Sequence, residues 1–600
     1  MEKSKITKSL AVFASVLLII IIGVASFAYF GTFNVNLINN VAVNINSSSP
    51  GNATFTSNAT QLNLQVPAAN MSFTVANNTV AAKEDIAFLD VTLTGSENLL
   101  TTCTYDIVYE YDAGSNVYGQ GTTTKTGDAT KEITIEVNGM NGNNHFATET
   151  NFDHANIQSY YDSTNKYYKL VEGATIKSLG STQSVRWKII GRYYNLNVSQ
   201  AQLGGKNFTG KIYAISKGCS SEDGSSVKKG YETILANNGG AASMTALTST
   251  DFANVTTASD KGMHKAPDDL GTSYYFRGAV DNNWVKYGKY TKDTYYTYDG
   301  DYNYSLVSSC DGLDKCFKIA SKGDDMYWRI IRINGDNSIR MIYAGTYAPD
   351  ENTKVTLTES GEFDDDGNPI GGQKTSAGRS KFNQNYNSAE YVGYMYTIGE
   401  QHGTSKSSDI KTYLDNWYAN YTDLSATGTK ITDQIYCNDR TASTSNVAYS
   451  TTNYTTLTSW NSTGTTYYYG AKGRIVKDNN SILTCAVDSD RFTVNKINGK
   501  GNSVLTYPIG LITIDEVEMA GNNWNGNNTS YYLHTGDYYW AGSPGEFIGG
   551  YSAFEFLVND AGNLSFDDVR DLGGVRGVVS LSSESKLLGS GTYNDVYTVN

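Results

Sequence analysis

The run Leu10–Phe30, LAVFASVLLIIIIGVASFAYF, constrains everything that follows it, because its twenty-one residues carry no charge. As a helix it measures ~31 Å at ~1.5 Å per residue, about the hydrocarbon thickness of a bilayer. Lys3, Lys5 and Lys8 precede it, and basic flanks stay on the cytoplasmic side. Residues 1–8 then read as a cytoplasmic basic start and 9–30 as a transmembrane anchor or signal. The lipid bilayer is an expected partner through residues 10–30. No second apolar run of this length follows. The expectation is a single-pass cell-membrane protein with its C-terminal ectodomain outside. Ser26-Phe27-Ala28 also offers small residues where a signal peptidase reads, and cleavage after Ala28 would release the chain as a secreted protein.

Beyond that run, Gly is abundant (58), Pro scarce (7) and Tyr frequent (46). This favours many short strands joined by polar turns over helical bundles. A net charge of −14 argues against nucleic acid as a partner. The six cysteines allow fifteen pairings, and disulfides are their natural fate in an exported chain. Position suggests Cys310–Cys316 around a short turn, Cys437–Cys485 within the last domain and Cys103–Cys219 bracketing the first. Free buried thiols are the alternative. No CxxC occurs.

The expected fold is mainly β with minor α. Residues 31–60 alternate as strand, turn and strand. Further strands are expected at Leu62–Val66, Met71–Val75, Ala87–Thr94, Cys103–Tyr111, Lys131–Val137, Val185–Leu196 and Asn207–Ser216. That density suggests an antiparallel β-sandwich over 31–218. The segments Ala25–Phe30, Trp187–Ile190, Tyr193–Leu196, Gly205–Phe208 and Lys211-Ile212 resemble camelysin-type and biofilm-fibre proteins of Gram-positive bacteria, which implies a structural or matrix role. Residues 219–309 read as a linker and connector module, with short helices near Tyr231–Asn237 and Asp251–Val255 and a strand, turn and strand over 268–285.

Residues 310–600 carry the clearest local signals. Tyr327–Ile333 and Ser338–Ala344 flank Asn334-Gly335, a strong hairpin signal. Over Ser408–Tyr421, the residues Ile410, Tyr413, Leu414, Trp417, Tyr418 and Tyr421 form one helical stripe. Thr513 and Glu516 form a capping box for a helix over Ile514–Ala520 that ends at Gly521. Trp328–Ile331, Thr412–Asn416, Leu511–Glu516, Tyr539–Gly545 and Gly574–Leu581 together resemble an uncharacterised bacterial domain family related to formylglycine-generating enzyme and C-type lectins. The resemblance implies a C-type-lectin-like α+β domain. The family's proline after the closing arginine is Gly577 here. The reactive cysteine pair that formylglycine-generating chemistry needs is missing, because no cysteine follows Cys485.

Catalytic motifs are absent: the histidines scatter, and neither HExxH, GxSxG nor a Walker loop occurs. Glu362–Gly367 approaches a calcium loop, with Asp364 and Asp366 as oxygen ligands. Glu362 and Gln373 occupy its first and twelfth positions, so a solvated acidic loop is the favoured reading and calcium the only cofactor the sequence raises. Trp524, Tyr538, Tyr539 and Trp540 crowd an Asn/Gly-rich stretch and are candidates for stacking on a sugar ring; packing in a core is the competing role, and the favoured one. The function expected is adhesion or matrix and glycan interaction without catalysis. The alternatives are a subunit of an envelope or biofilm fibre, and an enzyme on a formylglycine-generating-enzyme-like fold.

Overall fold

Side chains that alternate between buried and exposed build the first third of the molecule from paired long strands. The computed structural model describes residues 43–45, 53–65, 83–95, 98–111, 133–138, 143–144, 150–151, 160–194, 207–298, 304–313, 315–356, 375–445, 466–524 and 526–600. The apolar run 10–30, the strand expected at Met71–Val75 and the loop bearing Asp364 and Asp366 lie outside them. Among the described residues no helix is long and apolar enough to cross a membrane.

The strands are β1 (Val43–Ile45), β2 (Ala53–Ser57), β3 (Thr60–Gln65), β4 (Lys83–Thr94), β5 (Leu99–Tyr111), β6 (Ile133–Asn138), β7 (Asn143–Asn144), β8 (Thr150–Asn151), β9 (Tyr161–Asp162), β10 (Tyr167–Leu179), β11 (Thr182–Tyr193) and β12 (Asn207–Asp223). One sheet runs β1-β2-β4-β11-β6-β8, and the other β3-β12-β5-β10-β7 with β9 on β10. All their ladders are antiparallel. Ala87, Leu89, Val91 and Leu93 of β4 share a core with Cys103, Tyr105, Ile107 and Tyr109 of β5. Two inward faces that meet this way form a sandwich. At its centre the indole of Trp187 donates to the hydroxyl of Tyr105 at 3.0 Å. Cys103 and Cys219 face one another in the β5–β12 ladder and form a disulfide.

A second core extends from Ile234 to Val599. Its largest sheet contains β13 (Lys261–Pro267), β14 (Thr272–Gly278), β15 (Trp284–Lys289), β19 (Asp325–Ile333) and β20 (Ile339–Gly345). The strands β16 (Thr294–Tyr298), β17 (Tyr304–Val307) and β18 (Cys316–Ala320) form a separate sheet, with the Cys310–Cys316 disulfide at the turn before β18. The stretch read as a connector therefore supplies strands to the same body as the hairpin β19–β20, and residue 310 falls inside one continuous core. Val578–Leu581 pairs with β20 on one side and Ile431–Thr432 on the other. Tyr597–Val599 runs parallel to β15.

The helix Asp409–Asn420 starts at Ser408, whose Oγ accepts from the Lys411 amide. Its six expected core residues are all buried. Trp417 donates to the Tyr290 hydroxyl at 3.0 Å, and that hydroxyl lies 2.8 Å from the hydroxyl of Tyr343. A further sheet contains Arg379–Ser380, Gly573–Gly574, Tyr539–Ile548, Ser552–Val558 and Leu564–Asp568, with Thr466–Tyr468 on the edge of Tyr539–Ile548. The molecule is thus mainly β, in several antiparallel sheets with short helices.

Candidate functional site

The four aromatic residues singled out in the sequence separate in space. Trp540 is fully buried, and its indole donates to the Ser380 carbonyl at 2.8 Å. Tyr539 is buried too, with its hydroxyl bonded to the Leu533 carbonyl at 3.1 Å. Both fill the core. Tyr538 is 40 % exposed. Trp524 is partly exposed, and its ring stacks on Phe566 with centroids 5.3 Å apart and planes 10° from parallel.

That stacking places Trp524 at one end of an aromatic row on the last-described sheet. Directly opposed residues of adjacent strands share a face. Tyr468 opposes Glu546, Glu546 opposes Phe554, and Phe556 opposes Phe566. Phe556 is fully buried and anchors the row to the core, while Tyr468, Phe554 and Phe566 keep part of their surface in solvent. Tyr551 is 62 % exposed and stacks on Phe554 at 6.1 Å; Phe554 meets Phe566 edge to face at 6.0 Å. Beneath the rings Lys472 is fully buried. It pairs with Glu546 at 2.5 Å, and its ammonium sits 4.0 Å from the Phe566 centroid. Burial lowers the pKa of Lys472, opposed by the Glu546 carboxylate. At the Trp524 end the side-chain amide of Asn563 donates to that of Asn527 at 3.3 Å, and the Asn563 Oδ1 is buried without a hydrogen-bond partner. Sequence reasoning reached Trp524 but missed Tyr551, Phe554 and Phe566. The available signal was Phe554-Glu555-Phe556, then the turn residues Asn559–Asn563, then Phe566.

A solvent-open cleft lies elsewhere on the same body. Arg332 bridges Asp268 at 2.7 Å and Glu516 at 2.8 Å, and the Arg340 guanidinium lies 2.7 Å from Glu516. Arg474 bridges Asp439 at 2.9 Å and Asp515 at 2.8 Å. Asp269 accepts from the Cys485 amide at 2.9 Å and pairs with Arg491 at 3.0 Å. Burial opposes the charge on Glu516, but Arg340 and Arg332 outweigh it and hold its pKa below the usual range. Each lining carboxylate is thus already committed to a cation, and the floor acts as a clamp on six chain segments. Cys437, which lines this cleft, is bonded to Cys485. Near it, Glu518 accepts from Ser481 at 2.6 Å through Oε2, while Oε1 is unpartnered. Burial pushes its pKa up to about 8, against the Ser481 bond.

Among the described residues no cluster of three or more His, Cys, Asp or Glu is arranged to hold a metal ion. In comparisons with known proteins the chain matches no family model, no curated protein and no solved structure.

Proposed function

We propose that this chain is an extracellular, membrane-tethered modular surface protein that serves adhesion through a glycan or an extracellular matrix protein. One observation carries this reading: all six cysteines are joined in three disulfides spread over both bodies. Disulfides at that density belong to an oxidising compartment. The basic start and the apolar run 10–30 supply a route there. The acidic balance suits a soluble ectodomain.

The finer fold assignment belongs to the same proposal. A hairpin, a helix, a short capped helix and a closing strand occur in the order expected of a C-type-lectin-like or formylglycine-generating-enzyme-like domain. The sheets of β1–β12 are the part of the chain in which we place the likeness to camelysin and biofilm-fibre proteins.

Fractionation of the producing cell tests the proposal. The protein is expected in the membrane fraction, accessible to protease from outside, with all six thiols blocked under nonreducing conditions. A mature start at Tyr29 in the medium would replace the anchor with secretion. Recovery from the cytosol with free thiols would overturn the reading.

A further inference from the structure

We propose that the aromatic row Tyr551–Phe554–Phe566–Trp524 binds a neutral polysaccharide chain. The inference rests on the surface reading above and names the class of ligand. The rings follow one another in steps of 6.1, 6.0 and 5.3 Å along one sheet face. Pyranose rings present flat C–H faces that pack on aromatic surfaces, while their hydroxyls need polar partners at the margin. The row supplies both. Tyr551 and Trp524 stand at its ends with ring surface in solvent, and Phe554 and Phe566 make the floor between them. Asn527 of the Asn527–Asn563 amide pair follows Trp524 closely in the chain, and its exposed side chain offers its amide to a hydroxyl.

The setting selects among ligands. Lys472, under the row, is neutralised by Glu546, and the chain as a whole is acidic at −14. A polyanion meets repulsion here, whereas an uncharged sugar chain does not. The floor of the row is held by its neighbours. Phe566 is held between Trp524 and the Lys472 ammonium, with Phe556 in the core behind it. Little side-chain ordering is then required on binding, which favours affinity from a shallow surface.

The test uses the full-length protein in detergent and isothermal titration with cellohexaose and chitohexaose as neutral probes and hyaluronan as the anionic one. Trp524→Ala and Tyr551→Ala are compared with the parent, with thermal melts to confirm folding. The expected result is binding of at least one neutral hexasaccharide, weakened about tenfold or more by each substitution, with melting temperatures held. Binding that both variants retain in full would overturn the proposal. So would the absence of binding to both neutral probes, or a preference for hyaluronan. Concentration-dependent dimerisation that Tyr551→Ala abolishes would reassign the face to contact between copies. A surface-located protein that binds neither neutral probe defeats this inference alone. A cytosolic protein defeats the surface reading, whatever the titration gives.

Discussion

Glu518 is a residue whose chemistry departs far from its solvent norm near neutral pH. In the unfolded chain its carboxyl titrates near 4.5, and in the folded protein near 8. Below pH 4.5 both states hold the proton and the group has no effect. Between the two values the unfolded state releases a proton that the folded state keeps, so stability falls as pH rises through this window and is level above it. At ~1.4 kcal/mol per pH unit, Glu518→Gln should remove ~3–4 kcal/mol of destabilisation accumulated between pH 5 and 8. Denaturant melts at both pH values check this; an unchanged pH slope in the variant would refute it. Legibility at this scale followed sequence distance. The Thr513–Glu516 capping box forms as its spacing implied, with the Thr513 amide 3.0 Å from Glu516 Oε2. The second task of Glu516, holding Arg332 and Arg340 in the cleft floor, involves partners 184 and 176 residues away. No local pattern encodes such a pairing. The same holds for Arg576, buried with its guanidinium on the Tyr343 carbonyl at 2.9 Å and over the Tyr539 ring. Burial lowers its pKa, opposed by Tyr539.

Among the elements, those with strong periodicity were legible and those with interrupted periodicity were not. The stripe from Ile410 to Tyr421 and the Asn334-Gly335 hairpin reproduce their expected faces because each is determined within about a dozen residues. Strand β10 was missed. Its ladder with β5 slips between Lys169 and Val171 and again between Val171 and Ala174. There Gly173 takes a φ of +70° and its amide donates to Asp106 at 2.9 Å. Two irregularities in thirteen residues erase the period-two pattern. The closing segment was legible from its apolar spacing: Val575, Val579 and Leu581 are fully buried, and Val578–Leu581 lies between two neighbours. A central strand cannot leave without exposing the ladders on both sides. Truncation before Gly574 should therefore abolish the cooperative thermal transition of the C-terminal body, as followed by calorimetry. A truncated protein that melts like the parent would disprove the central role of that strand.

For the molecule as a whole, sequence reading recovered the mainly β character and the three disulfide pairs, while the pairing of distant strands was not legible. Val285 pairs with Trp328 and Tyr597, and Tyr275 with Arg332, so strands from 261–289 are integral to the body that ends at Val599. Such long-range pairing leaves no composition shift at a boundary. A fragment of residues 310–600 lacks those strands and should stay unfolded, whereas 225–600 should melt cooperatively; chemical-shift dispersion distinguishes them, and a dispersed spectrum from 310–600 would contradict the assignment. The bodies also touch, through Lys286 on the Ser184 carbonyl at 2.9 Å and Arg186 on the Lys322 carbonyl at 2.8 Å. The Cys103–Cys219 bridge has a mechanical consequence for any tether. Tension entering the sandwich at β1 and leaving beyond Asp223 travels along the backbone to Cys103, crosses the sulfurs and exits at Cys219. The sulfurs span 116 residues, and that length of chain is shielded from stretching. Pulled end to end in a single-molecule trace, the oxidised sandwich yields only its first strands. Reduction should add ~40 nm of contour length at ~3.5 Å per residue, and equal extensions with and without reductant would mean that the load takes another path.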